Sequence, residues 1–289
     1  MAFNRATFQT RALTALVFVA VMMTGLLYSA TSQFILISVI YVGCWKEFGR
    51  LAEKINGVSF HPYTWLGGGL LGYHLVILLG AQHLDLAGYN IRDNFSFPFL
   101  IAGILLFVWG IFKTPQVSVR AVAGLFGGIL YLALPMGLLL CLSFPYGHFG
   151  QKLILYIIGS VWINDTMAYL AGSAIGKTPL SKISPKKTWE GTISGIVLSA
   201  ALTWLLFSLI FLQRVEWSMA AMGIAISLTA AISGTFGDLF ESKLKRLAGV
   251  KDSGHIMPGH GGFLDRFDSV LWAAPAVWLL LKLTAQAVS

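Results

Sequence analysis

The sequence predicts an all-α fold, a polytopic integral membrane bundle of about nine transmembrane helices. Three observations carry that prediction. Apolar residues make up 56% of the 289-residue chain and charged residues 11%, against roughly 25% charged in an average soluble domain. The apolar residues arrive in runs close to the ~20 that a helix needs to cross a bilayer, and lipid offers no partner to a backbone N–H or C=O, so a spanning backbone pairs within itself. The ~10-residue stretches of alternating polarity that mark a membrane β-barrel are not seen.

In chain order, the predicted spans lie at roughly 13–30, 33–48, 63–81, 97–112, 119–145, 153–172, 191–212, 218–238 and 266–286. The first follows Arg5 and Arg11, as a secretory signal does. Its apolar stretch is long for a signal, and Tyr28 sits badly in a small-residue cleavage site, so it reads as a retained anchor. The second and fourth are short, with charged ends. The third and fifth are apolar runs. The sixth is interrupted by Asn164 and Asp165, the eighth closes on Asp238, and the ninth opens on Arg266 and Asp268. Residues 1–150 form the N-terminal helices, with packing and a lipid groove as their roles. Residues 151–289 hold the catalytic region and its two polar loops, 173–190 and 239–265.

Charge sets the expected orientation. With the N-terminus inside, Arg92, Lys152, Arg214 and Lys282 fall outside, and the other sixteen of the twenty Lys and Arg fall on the cytoplasmic side. That is the bias of a positive-inside protein. The pI of about 9.5 is therefore mostly topology and does not imply nucleic acid. Cys44 and Cys141 sit in apolar spans and imply no disulfide framework. A bacterial-type inner membrane, with the active site facing the cytoplasm, is the expected location.

Only twelve acidic residues exist, and an ionisable group in or beside a span is a functional candidate by default. Asp165 lies about two turns from the cytoplasmic end of its span. It either lines a cavity open to the cytosol or makes an interhelical hydrogen bond. The stretch GKTPLSKISPKKTWEG follows, residues 176–191. Topology alone accounts for its lysines. Yet Ser184, Pro185, Lys186, Lys187 and Thr188 make a stiff turn before Trp189 and Glu190, at a helix start, and such a turn presents donors to phosphate. The spacing is not that of a P-loop.

A third stretch runs from Gly237 to Ser269. Asp238 and Glu241 share a helix face, and Lys245 follows Glu241 at the favourable four-residue spacing. A solvated helix end with a basic last turn is the plain alternative. Gly254, Gly259, Gly261 and Gly262 then make a loop whose backbone N–H groups can approach a ligand closely. Asp265 and Asp268 open the last span on one face. Helix capping explains one acidic residue there, but not a second one turn in with Arg266 between them. Asp238, Asp265 and Asp268 are oxygen-only ligands that suit a hard cation, Mg²⁺ above all. Lys245, Arg246, Lys251 and Arg266 stand beside them, and carboxylates for metal next to cations for phosphate are the parts of phosphoryl and nucleotidyl transfer. His255 and His260 lack the cysteines and spacing of a zinc site.

From Ser242 to Asp268 the chain resembles the signature of the phosphatidate cytidylyltransferase (CDP-diacylglycerol synthase) family. Ser242, Lys245, Arg246, Lys251, Asp252, Gly254, Pro258, His260, Gly261, Gly262, Asp265, Arg266 and Asp268 stand in register. Met257 replaces a usual Leu, Ile or Phe. Asp165 with Ala168 and Tyr169, SPKKTWEG and GDLFES also look like this family, so the match covers roughly residues 160–270. The resemblance implies a membrane enzyme making CDP-diacylglycerol and pyrophosphate from CTP and phosphatidate. It further implies dependence on Mg²⁺ or another divalent cation, a metal pair held by the matching aspartates Asp238 and Asp265 with Asp268 close by, and a homodimer.

The residues then take expected roles. Asp238, Asp265 and Asp268 hold metal, while Lys245, Arg246, Lys251 and Arg266 neutralise phosphate. Lys186, Lys187 and Thr188 grip phosphate from the other loop, and Asp165 shapes the cavity floor. Ser184, Glu190, Ser242, His260, Gly261 and Gly262 complete the substrate-binding set. Rival readings are a polyprenol kinase or an ether-lipid cytidylyltransferase, told apart by the acceptor lipid. A transporter would usually show matched repeats in two halves, whereas here the polar residues crowd the C-terminal half.

Overall fold

The computed structural model describes residues 5–82, 84–86, 88–143, 148–211, 217–254 and 261–288. Among these residues there are nine helices: α1 Arg5–Leu27, α2 Ala30–Asn56, α3 Pro62–Gly80, α4 Ile91–Lys113, α5 Val119–Cys141, α6 His148–Ile175, α7 Trp189–Phe211, α8 Trp217–Leu247 and α9 Leu264–Val288. Each coincides with a predicted span. A two-residue antiparallel ladder, β1 Asp85–Leu86 with β2 Tyr89–Asn90, joins α3 to α4. No hydrophobic pattern announces strands this short.

Seven of the helices, α3 to α9, are long and apolar enough to cross a bilayer. The protein is a polytopic helical membrane protein. The fourth span, expected to be short, is the most apolar of the seven, with mean hydropathy 2.3. It begins six residues before its expected start, because Asn90 caps it by accepting from Asp93 N–H at 3.2 Å. The described apolar part of α1, Leu13–Leu27, is shorter. α2 has an apolar first half and a second half bearing Lys46, Glu47, Arg50, Glu53 and Lys54.

Local sequence sets the helix ends. Ser29 and Ser32 form a reciprocal capping box at the start of α2, with N–H to hydroxyl distances of 2.9 and 3.0 Å. Gly57 ends α2 with φ at 64°, a left-handed conformation that only glycine adopts without strain. Ser118 caps α5 by accepting from Ala121 N–H. A cap of this kind contributes about 1 kcal/mol.

The chain forms two compact units. One comprises Met1–Lys152 and Leu244–Phe267, the other Leu153–Lys243 and Asp268–Ser289. In the first, α3 packs on α4 and α5, and α2 on α5. The α3–α4 contact is close because Gly67, Gly103 and Gly110 lie in it. A Cβ on Gly103 would sit 2.9 Å from Leu71 N. Without a hydrophobic drive between helices in lipid, such small-residue contacts are how membrane helices gain dispersion energy.

In the second unit, α6 meets α7 through Gly172, Gly191, Gly195 and Ala168. A Cβ on Gly191 would lie 2.8 Å from Gly172 Cα. α6 and α8 are tied by a buried hydroxyl chain. Tyr156 donates to the Gly223 carbonyl (2.9 Å), Ser227 donates to Tyr156 Oη (2.9 Å), and Ser160 and Ser227 are 3.1 Å apart. α8 meets α9 at Gly237, where a Cβ would stand 3.0 Å from Ser269 Cα. The residue after Gly237 is Asp238, so this crossing puts Asp238 beside the helix that begins this unit's share of α9 at Asp268.

Candidate active site

The second unit contains a cavity of about 480 Å³ among α6, α7, α8 and the loop from Gly176 to Thr188. That volume falls within the range of small-ligand sites, roughly 300–1,000 Å³. Asp165, Ser184, Lys186, Lys187, Thr188 and Asp238 all line it, so six of the expected site residues, far apart in sequence, are brought to one place. Asp165 lies on the cavity wall.

The loop is held by its own hydrogen bonds. Leu180 N–H donates to Lys187 C=O (2.7 Å), Lys187 N–H to Ser184 C=O (3.1 Å) and Trp189 N–H to Thr178 C=O (2.9 Å). The Lys187 ammonium is thereby fixed close to Asp238, at 2.6 Å from Oδ2. The two side chains keep 30% and 25% of their surface, so water and ligand reach the pair. Lys186 is exposed. Thr188 serves two ends: its Oγ1 accepts from Gly191 N–H at 3.2 Å, capping α7, while the residue lines the cavity. Glu190 turns to the loop backbone, accepting from Lys177 N–H, Thr178 N–H and the Thr178 hydroxyl at 2.8–3.2 Å.

Several wall residues carry no motif. Asn164 is 3% exposed, and its Oδ1 is buried without a hydrogen-bond partner among the described residues. Buried polar atoms are nearly always paired, and this oxygen belongs to a residue that lines the cavity. Thr192 and Thr235, both buried, complete the wall. Of these three only Asn164 interrupts its span visibly in the sequence. Thr192 and Thr235 look like ordinary polar positions of spanning helices.

The signature segment divides between the units. In the first unit, Asp265 is enclosed by donors: Lys245 Nζ reaches Oδ1 at 2.7 Å, and Oδ2 accepts from Ser253 N–H (3.0 Å), the Ser253 hydroxyl (2.9 Å) and Gly262 N–H (2.8 Å). Gly261 has φ at 83°, and a Cβ there would stand 2.8 Å from Asp265 Oδ2; both the turn and the closeness require glycine. Arg246 is exposed and donates to Val250 C=O at the end of α8 (3.4 Å). Lys251 is exposed and Arg266 half-buried. In the second unit, Asp268 is 6% exposed and accepts from Ser269 N–H at 2.6 Å, and Ser242 is half-buried on α8. His255, Pro258 and His260 lie outside the described residues.

Among the described residues, no three His, Cys, Asp or Glu side chains gather as a ready cation cage. The cavity nevertheless offers the carboxylates of Asp165 and Asp238. Mg²⁺ is usually bound by one or two carboxylates, with substrate phosphate and water completing its shell. The donor set fits a cation shared with substrate.

A bundle of membrane helices with a polar cavity of aspartates facing lysines defines the class: an integral membrane protein equipped to bind an anionic ligand. The model of the Cytidylyltransferase family matches residues 9–284, and the chain belongs to that family. It is 34% identical over 188 residues to a phosphatidate cytidylyltransferase of Thermotoga maritima, covering 62% of this chain and 68% of the relative. It is 41% identical over 136 residues to a phosphatidate cytidylyltransferase of Helicobacter pylori, covering 47% and 49%. With phosphatidate cytidylyltransferase 4, chloroplastic, of Arabidopsis thaliana it shares 44% over 134 residues, 46% of this chain and 33% of the relative. The matched segment thus spans from 33% to 68% of these relatives' own lengths.

Proposed function

We propose that the protein is a phosphatidate cytidylyltransferase, forming CDP-diacylglycerol and pyrophosphate from CTP and phosphatidate. The observation that carries this reading is the cavity that joins Asp165 and Asp238 to Lys186, Lys187, Ser184 and Thr188, in a chain matched to the family almost end to end. The names of the relatives support the choice of acceptor lipid.

The reaction needs little covalent help. A phosphate oxygen of phosphatidate, already anionic at neutral pH, attacks the α-phosphorus of CTP. A new P–O bond forms, the bond from the α-phosphorus to the bridging oxygen breaks, and its electron pair leaves with pyrophosphate. No proton has to move, so no general base is required. The obstacle is electrostatic, since one anion must approach another. Fixed cations in a partly dehydrated site lower that barrier more than they would in water.

Lys187 and Lys186 neutralise triphosphate oxygens, and Ser184 and Thr188 contribute hydroxyl donors. Asn164 Oδ1 accepts a hydrogen bond from the bound nucleotide. Asp238 holds Lys187 in place and, with Asp165, provides the carboxylates that suit a divalent cation, which when bound neutralises phosphate charge alongside the lysines. The sixteen-to-four distribution of Lys and Arg supports a cytoplasmic orientation of this face, the side on which CTP is found.

The test is pyrophosphate release by the purified full chain in detergent, given Mg²⁺, CTP and phosphatidate, with each omitted in turn. The proposal expects release only when all three are present, with CDP-diacylglycerol as the lipid product. Turnover of CTP with a polyprenol or an ether lipid, and none with phosphatidate, would overturn it.

A further inference from the structure

We infer that Glu47, on α2, is a positioning residue for the signature segment, holding Ser253 and Gly254 against Gly262, Phe263 and Leu264 at the start of α9. This rests on the functional reading above only for its consequence in turnover; the structural claim stands without it.

Glu47 is 5% exposed and lies in a helix of the membrane bundle, where a carboxylate is expensive to bury without partners. Its partners all come from one place more than 200 residues away. Phe263 N–H donates to Oε1 at 2.9 Å, Leu264 N–H donates to Oε2 at 2.9 Å, and the Ser253 hydroxyl stands 2.8 Å from Oε2. Phe263 and Leu264 carry the amides that begin α9, which have no partner within the helix. Glu47 therefore supplies, from another helix, acceptors for two amides at this helix start.

The same carboxylate is linked to Asp265. The Ser253 hydroxyl that faces Glu47 is also 2.9 Å from Asp265 Oδ2, so one hydroxyl joins the two, its single proton serving one at a time. Gly262 donates its N–H to Asp265 (2.8 Å) and leaves no room for a side chain, since a Cβ there would overlap the Glu47 carboxylate. Gly254 is pressed against Glu47 in the same way. One turn earlier on α2, Gly43 has no side chain where the Phe263 ring lies. The stretch of α2 from Gly43 to Glu47 is shaped to receive this loop, and the two glycines of the loop are shaped to receive Glu47.

A glutamine at position 47 would fill the same space but has one acceptor oxygen. Whichever way its amide is turned, its NH₂ faces a backbone N–H, Phe263 in one orientation and Leu264 in the other. The test compares Glu47→Gln with wild type by amide hydrogen exchange on the full-length protein in detergent, without metal or nucleotide. The expected result is exchange about tenfold faster or more at Ser253 and 262–264, with α3, α4 and α5 unchanged. Gln33→Ala removes another buried polar residue of α2, which donates to Leu26 C=O and Gln151 C=O, and it should leave the 253–264 amides at their wild-type rates. Should Glu47→Gln fail to fold, Ser253→Ala removes only the linking hydroxyl and is expected to loosen 262–264 in the same confined way. Unchanged exchange there, or equal loosening of all of α2 to α5, overturns the inference. If the loop loosens as expected but no lipid supports CTP turnover, the positioning role stands and the proposed reaction falls.

Discussion

Two acid–base pairs with the same chemistry sit in opposite surroundings. Lys187 and Asp238 meet at 2.6 Å with 30% and 25% of their side chains exposed, on the wall of a cavity. Lys245 and Asp265 meet at 2.7 Å with 13% and 12% exposed, and Asp265 also takes three further donors. The first pair has room beside it; the second is enclosed. A pair left open is suited to exchange its partner for a ligand. An enclosed pair of this kind ties the end of α8, through Lys245, to the backbone amides of Ser253 and Gly262. Two similar pairs thus differ in access: one opens on a cavity and the other is enclosed.

The largest effect that sharpens this contrast is expected at Asp238. Asp238→Asn should lower kcat by about 10²–10³, because it frees Lys187 from its position and removes a carboxylate suited to a divalent cation. Its thermal midpoint should move little, since a partly exposed pair contributes only about 0–1 kcal/mol. Steady-state pyrophosphate release and a melting curve on the same preparation check both halves. Asp265→Asn should strike stability as well, by about 3 kcal/mol, because it removes the charge from one side of an enclosed pair. An Asp265 variant as stable as wild type but inactive would erase the distinction between the two pairs.

Smaller effects follow at the supports. Glu190→Gln weakens the brace on Lys177 and Thr178, so the loop bearing Lys186 and Lys187 loses preorganisation. The expected outcome is a rise of several-fold in KM for CTP with kcat nearly unchanged, read from initial rates. Smallest of all is Ser227→Ala, which breaks the Tyr156–Ser160–Ser227 chain. It should cost about 1 kcal/mol in unfolding and leave both kinetic constants alone.

The helices were legible in the sequence because lipid imposes length and apolarity on each one, and α4 to α9 carry that mark plainly. So was the cavity loop: Ser184 to Thr188 stand out as a polar, proline-stiffened turn between apolar spans, and Asp165 as a carboxylate within one. The fit of Glu47 to Phe263 and Leu264 was not legible beyond the oddity of a carboxylate near the end of a span, since a side chain that accepts from backbone amides two hundred residues away leaves no periodic trace. Ser253 has no signal either, being one serine in a polar loop. Thr192 and Thr235 face the cavity only because Gly172, Gly191 and Gly195 draw α6 against α7 and Gly237 draws α8 against α9, and such crossings are fixed by packing of whole helices.

The proposed reaction requires the cavity lined from Asn164 to Asp238 to grip the nucleotide's phosphates. Binding of radiolabelled CTP to the full chain in detergent, compared between wild type and Lys187→Ala by equilibrium dialysis, is the direct test. Wild type should bind saturably, and the variant about tenfold or more weakly, with a folded protein in both cases. Equal affinity in the two proteins would place the phosphates elsewhere and contradict that requirement.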